Sequence, residues 1–305
     1  MVTTIEDVMG SVHVEEQSLR SGVVNVEGAT LRYVIEGSGV PTLVLGSAIY
    51  YPRTFSRELR NALTMAFVDV RHFVDTESVL LPYEITLETY LRDIEELRRE
   101  IGFGRMVIIG HSHHGNLALE YAKHYPENIS HVVLIGSPPC DIYTTSRAGR
   151  QYWEKHASDA RKATLQSNRV VLTPEMLEAL SQRDAFVAEY VANGPKYWFN
   201  ASFNATSLWS EVPIDFDTIK TFRSFFTDYD LSWDPQTMTA PVILVMGRHD
   251  YAVPHILWQK ALPELKHLTF HLFEQSGHTP QLEEAALFDD MLLNWLGINA
   301  NVRSI

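Results

Sequence analysis

The sequence predicts an α/β protein, an open and mostly parallel sheet with helices on both faces, interrupted once by a helical insertion. Three observations lead there. Short apolar runs recur along the chain, among them Met106–Ile109, Val132–Ile135 and Val242–Met246, and such runs read as strands buried on both faces. Segments with 3.6-residue apolar periodicity alternate with them. One block, from about Ile142 to Pro235, breaks this alternation and reads as helical segments with aromatic clusters.

Taken in order, Val23–Val26 and Thr30–Glu36 flank Glu27-Gly28, the pattern of an antiparallel hairpin. Gly37-Ser38-Gly39 turns into a third strand, Thr42–Leu45, followed by a loop from Gly46 to Pro52 and a short helix over Phe55–Leu63. Met65–Val70 is the fourth strand, with Asp69-Val70-Arg71-His72 at its carboxyl end. Thr86 opens a helix that lines Leu87, Leu91, Ile94 and Leu97 along one face and stops at Gly102. Met106–Ile109 is the fifth strand. The helix after it carries Leu117, Ala118, Tyr121 and Ala122 at helical spacing and stops at Pro126. Val132–Ile135 is the sixth strand, closed by Gly136-Ser137-Pro138-Pro139. Beyond the helical block come a seventh strand, Val242–Met246, a helical stretch over Leu257–Leu262, an eighth strand, Leu268–Phe273, and a last helix over Leu282–Leu296.

Ligand sites in such sheets lie beyond the carboxyl ends of the strands, so reactive residues just after apolar runs carry weight. Ser112, in Gly110-His111-Ser112-His113-His114-Gly115, sits at a sharp strand-to-helix corner. That corner pushes its hydroxyl outward and sets the next backbone N–H, from His113, at a helix N-terminus that can receive an oxyanion. Asp250 follows the seventh strand and His278 the eighth. A serine hydroxyl is a poor nucleophile at neutral pH. An imidazole must take its proton, and a carboxylate must orient that imidazole and stabilise its charged form. Asp230 and Asp234 are further candidates for the carboxylate.

These motifs resemble the α/β-hydrolase superfamily. Gly110-His111-Ser112 corresponds to the nucleophile elbow, Gly247-Arg248-His249-Asp250-Tyr251-Ala252-Val253-Pro254 to the acid loop, and Ser276-Gly277-His278-Thr279-Pro280-Gln281-Leu282-Glu283-Glu284 to the base loop. The similarity runs from Val23 to Leu296, and capped esterase-like and proline iminopeptidase-like members look most similar. The resemblance implies an eight-stranded sheet in two core parts, residues 1–138 and 237–305, with a helical cap over 139–236 inserted after strand six. It implies a cofactor-independent serine hydrolase. Ser112 attacks an ester or amide carbonyl, His278 takes its proton under the orientation of Asp250, and an acyl-enzyme forms. His113 N–H and an N–H from Ser47 or Ala48 hold the oxyanion.

Three departures from the pattern stand out. The G-x-S-x-G signature has His114 where a glycine is expected, with Gly115 one place later. The usual His-Gly after strand three is Leu45-Gly46-Ser47-Ala48-Ile49 here. Asp-x-Arg-Gly-x-Gly becomes Asp69-Val70-Arg71-His72-Phe73. The pocket is therefore expected to carry the extra side chains His114 and His72.

Composition bounds the function further. The chain has 305 residues and a formal net charge of −13, with no Lys/Arg run, which argues against a nucleic-acid partner. No apolar run reaches membrane-spanning length, and Met1–Gln17 lacks the apolar core of a secretory signal; a cytoplasmic enzyme with a small-molecule substrate is expected. Nothing specifies an oligomeric state. Cys140 stands alone and is read as an inert small residue. His111, His113 and His114 crowd one turn, but Asn116 stands where the last His of H-x-H-x-D-H belongs, so no metal is expected. The aromatic block and the loop after strand three offer Ile49, Trp198, Phe199 and Trp209, beside His114, as pocket residues for a small to medium, partly apolar substrate. Glu175, Glu189, Glu211 and Asp215 are read as solvated; an aminopeptidase would use one or two of them to hold a substrate amine. A lyase or a non-hydrolytic ligand receptor is the alternative outside hydrolysis, because fold does not fix function.

Overall fold

The computed structural model describes residues 20–74, 80–259, 261–262, 265 and 267–298. The hairpin is β1 (Arg20–Val26) and β2 (Ala29–Glu36). Glu27 and Gly28, at φ +44° and +80°, supply the pair of left-handed residues that a two-residue type I′ turn needs. With β3 (Val40–Gly46), β4 (Leu63–Asp69), β5 (Met106–His111), β6 (Ile129–Ile135), β7 (Val242–Gly247) and β8 (Leu268–Phe273) it forms one eight-stranded sheet in the order β1-β2-β4-β3-β5-β6-β7-β8. β2 pairs antiparallel with β1 and β4, and every other pair is parallel. Helices cover both faces, as the apolar runs predict. Met106–Ile109, Val132–Ile135 and Val242–Met246 are all 0% exposed.

α1 (Leu87–Ile101) is capped by Thr86, whose hydroxyl accepts the Thr89 N–H. α2 (His113–His124) follows β5 directly and ends before Pro126. Between β6 and β7 lie α3 (Ile142–His156), α4 (Asp159–Val171), α5 (Pro174–Glu178), α6 (Gln182–Ala192), α7 (Thr206–Trp209) and α8 (Phe216–Ser224). Asp141, Ser158, Thr173, Ser181 and Asp215 cap five of these by accepting first-turn N–H groups. Trp198, Leu208, Trp209, Phe222 and Phe226 join this block to the main core. A satellite cluster of Tyr152, Trp153, Ala157 and Leu165 closes on Tyr251 in the loop after β7. The block is therefore held to the sheet from two sides.

Three elements differ from expectation. The helix expected over Phe55–Leu63 is a 3₁₀ turn over Glu58–Asn61, and Leu63 already belongs to β4. Arg60 competes here: its guanidinium donates to the carbonyls of Pro52, Phe55 and Ser56, acceptors that a regular helix would use. The helix expected over Leu257–Leu262 overlaps a 3₁₀ turn, His255–Gln259, and Lys260 lies outside the described residues. The last helix is split by Glu284, at φ −124° and ψ 51°, into α9 (Pro280–Glu283) and α10 (Ala285–Trp295). Among the described residues no helix is long and apolar enough to cross a membrane. Met1–Gln17 lies outside the described residues.

Candidate active site

β5 ends at His111 and α2 begins at His113, so Ser112 alone makes the corner, at φ +57° and ψ −133°. That backbone costs about 1–3 kcal/mol for a residue with a side chain, and the packing around it must hold the strain. The Ser112 N–H donates to Ile135 O at 2.7 Å, tying the corner to β6. A Cβ at Gly110 would stand 2.1 Å from His114 O, and one at Gly115 would stand 1.9 Å from Ser137 Oγ. The crowding that the signature's second glycine relieves thus falls on position 115, and position 114 has room for an imidazole.

Asp250 and His278, expected as acid and base, come together from two other loops. Asp250 is 0% exposed, and its Oδ1 accepts the N–H groups of Ala252 and Val253 at 2.9 and 2.8 Å. This leaves Oδ2 to accept from His278 Nδ1 at 2.6 Å. Asp230 and Asp234 serve elsewhere: Asp230 bridges Cys140 through the backbone and Asp234 accepts the Gln236 N–H. His278 is clamped by its own main chain. Its N–H donates to Tyr197 O at 2.5 Å, and its carbonyl accepts from His111 Nε2 at 2.8 Å. Glu283 fixes the loop on both sides of the base, with Oε1 accepting from Gly277 N–H and Thr279 N–H and Oε2 from Phe199 N–H. Burial pushes the Glu283 carboxyl up to about 7 against these three bonds.

Burial also pulls His278 down, but the charge of Asp250 and its hydrogen bond outweigh that, and its pKa ends above the ordinary value. With Nδ1 held by the carboxylate, Nε2 is the ring nitrogen outside that pair. Ser112 and His278 border one cavity; among the described residues no hydrogen bond joins them.

A second polar network runs through the cavity wall. Burial lowers His72 and His111 to about 3 and His114 well below the ordinary value, so all three rings are neutral at pH 7. Their contacts form a chain: Tyr90 OH to His72 Nδ1 at 3.0 Å, His72 Nε2 to His114 Nε2 at 3.1 Å, His114 Nδ1 to Tyr51 OH at 3.1 Å, and Tyr51 OH to His111 Nδ1 at 3.3 Å. The last link is His111 Nε2 on the His278 carbonyl, which can only accept. That end sets every proton upstream. His111 carries its hydrogen on Nε2, so Tyr51 donates to its Nδ1. His114 must then donate from Nδ1 to the tyrosine oxygen, His72 donates from Nε2, and Tyr90 donates to His72 Nδ1. His114, the residue that departs from the elbow signature, is the middle of this relay. His113 takes no part in it and stacks on Phe226 at 4.7 Å.

The loop after β3 differs from expectation. The Ala48 N–H is engaged by Asp69 Oδ1 at 2.8 Å, and Ser47 Oγ accepts the N–H groups of Ile49 and Tyr50. Neither Ser47, Ala48 nor Ile49 borders the cavity, whereas Tyr50 and Tyr51 do. The buried Asp69, whose Oδ2 accepts from Arg32, thus occupies the Ala48 N–H, one of the two donors expected for the oxyanion. Of the aromatic candidates, Trp209 and His114 line the cavity, and Trp198 and Phe199 do not. Tyr197 faces the base loop, so Trp198 turns inward against Phe203 and Phe199 turns outward beside His249, 39% exposed. Glu175, Glu189, Glu211 and Asp215 are absent from the lining, and Asp215 is the cap of α8.

The cavity measures about 730 Å³, and its walls include Tyr50, Phe186, Tyr190, Tyr197, Trp209 and Phe222. Tyr50 and Tyr51 lie in the loop just beyond β3, where the rule of strand ends would have found them. Nothing in the sequence marked Glu283 beyond its place in the base-loop motif.

The model of the alpha/beta hydrolase fold family matches residues 55–285. The AB hydrolase superfamily protein YclE of Bacillus subtilis is 32% identical over 279 residues, which are 91% of this chain and 99% of that protein. A proline iminopeptidase of Saccharolobus solfataricus is 23% identical over 209 residues, 66% of this chain and 65% of its own. Among solved structures, an alpha/beta fold family hydrolase from Bacillus anthracis superposes with a TM-score of 0.66 at 20% identity, over 90% of this chain and 99% of that one.

Proposed function

This chain belongs to the alpha/beta hydrolase fold family, and from that premise we propose that it is a serine hydrolase acting on an ester or amide of a small to medium, partly apolar substrate. The observation that carries the reading is one constellation: a serine at a strained corner and an imidazole held at 2.6 Å by a buried carboxylate, both on one cavity. In the mechanism, His278 Nε2 takes the Ser112 proton as Oγ adds to the substrate carbonyl. The His113 N–H, first in its helix, receives the negative charge on the carbonyl oxygen. His278 then gives the proton to the leaving group, and water activated by the same nitrogen releases the acyl group.

Residues 139–236 act in this scheme as a cap. Phe186, Tyr190, Tyr197, Trp209 and Phe222 all come from that stretch and wall the cavity, which keeps water from the reacting atoms. An ester or neutral amide comes ahead of an aminopeptidase substrate. Glu154 is the one carboxylate among the described lining residues, and Lys162 pairs with it at 3.5 Å. No carboxylate is thereby set aside for a substrate ammonium.

The test is turnover of short-chain nitrophenyl esters and an aminoacyl arylamide by wild type, Ser112→Ala and His278→Ala. Ester turnover falling by about 10⁴-fold in either variant is expected. Undiminished turnover in Ser112→Ala would remove the serine mechanism, and binding of the esters with no turnover by wild type would favour a receptor.

A further inference from the structure

Resting on that reading of the site, we propose that the cavity binds an anionic group through Arg150, Arg169, Lys196 and Arg223, so that the substrate carries a carboxylate separated from the scissile bond by an apolar stretch. The chain holds 38 Asp and Glu against 25 Lys and Arg, yet the cavity lining reverses that balance, with four cations and the single carboxylate Glu154. The arginines are exposed and Lys196 is half-buried, which places the charge toward the open side of the cavity.

These cations lack the partners that others on the surface have. Arg183, Lys220 and Arg248 pair with Asp184, Asp217 and Glu274. Among the described residues, none of the four lining cations forms a salt bridge. Arg150 donates to Ser146 Oγ at 3.2 Å and Arg169 to Asn193 Oδ1 at 2.9 Å, both neutral acceptors. Lys196 Nζ lies 5.8 Å from the Trp153 ring centroid. Lys196 also feels two of the others. Burial lowers the Lys196 ammonium pKa, the charges of Arg169 and Arg150 lower it further, and Glu154 opposes them. An acidic protein that gathers cations without salt bridges on its cavity, with Arg150 and Arg169 acting on Lys196, gains most from an incoming anion, which relieves that repulsion and accepts guanidinium donors. The aromatic walls fit an apolar spacer between that anion and Ser112.

The test compares monoethyl adipate with ethyl hexanoate, and, on the Ser112→Ala protein, adipic acid monoamide with hexanamide by calorimetry. Roughly a tenfold or greater preference for the charged member of each pair is expected at low ionic strength, shrinking as salt is raised. The preference ratio should collapse toward one in Lys196→Met and narrow in Arg150→Gln, whose exposed site makes misfolding no concern. Equal binding of the two amides, or a preference untouched by both substitutions, overturns the anion site. The calorimetry needs no turnover, so esters that bind with charge preference yet are not hydrolysed would overturn the serine-hydrolase reading and leave the anion site standing.

Discussion

At the residue scale, the proposed mechanism makes His278 and Asp250 set the pH behaviour. The base must be neutral to take a proton, so activity is lost as pH falls through its pKa. Asp250 holds that pKa above the ordinary 6.5 in spite of burial. The acid limb of kcat/KM should therefore have its midpoint above about 6.5. Asp250→Asn removes the charge and the charged hydrogen bond that oppose burial and leaves only the smaller effect of Glu283, so the limb should move to lower pH while kcat drops by about 10⁴-fold; an unmoved limb would mean that another group sets it. The same raised pKa makes the pair's contribution to folding fully present below the unfolded value and lost as pH rises past the folded one. Tyr51 offers an independent check on the relay. Tyr51→Phe leaves His111 Nδ1 without a donor and His114 Nδ1–H without an acceptor, both buried. Urea unfolding should show a loss of about 1–3 kcal/mol, and a loss within experimental error would contradict the two hydrogen bonds assigned to the Tyr51 hydroxyl.

At the scale of elements, the β5–α2 corner rests on Gly115. Gly115→Ala places a methyl 1.9 Å from Ser137 Oγ, so the thermal midpoint should fall by an amount equivalent to about 3 kcal/mol; an unchanged midpoint would show that the corner can relax. The corner was legible in the sequence because an apolar run, a Gly-x-Ser and a helical period meet there. The central strands β5, β6 and β7 were legible for the same reason, each holding an apolar run that is fully buried. Asp250 and His278 stood out because each follows such a run. The loop after β3 was not legible. Its register depends on the Ala48 N–H reaching Asp69, a pairing across 21 residues that no local pattern records. Trp198 and Phe199 were misplaced because their segment is irregular, and long-range bonds, among them His278 N–H to Tyr197 O and Phe199 N–H to Glu283, decide which neighbour faces the cavity. The 3₁₀ turn at Glu58–Asn61 escaped because one side chain, Arg60, competes for the helix carbonyls.

At the scale of the whole molecule, the inserted helices and the sheet share one site, and the contact between them is tight. A Cβ at Gly277 would stand 2.1 Å from Tyr197 O, where the insertion crosses the base loop. Gly277→Ala should push that crossing away and loosen the clamp on His278, lowering kcat/KM by roughly 10–100-fold with the fold retained by circular dichroism. Wild-type kinetics in this variant would mean that the insertion does not hold the base. The central claim, that Ser112 is the nucleophile activated by His278, is tested most directly by the mass of a fluorophosphonate adduct mapped by peptide sequencing. One adduct per chain on Ser112, absent from Ser112→Ala and greatly slowed in His278→Ala, is the expected result. An adduct on any other residue, or undiminished labelling of Ser112→Ala, would contradict it.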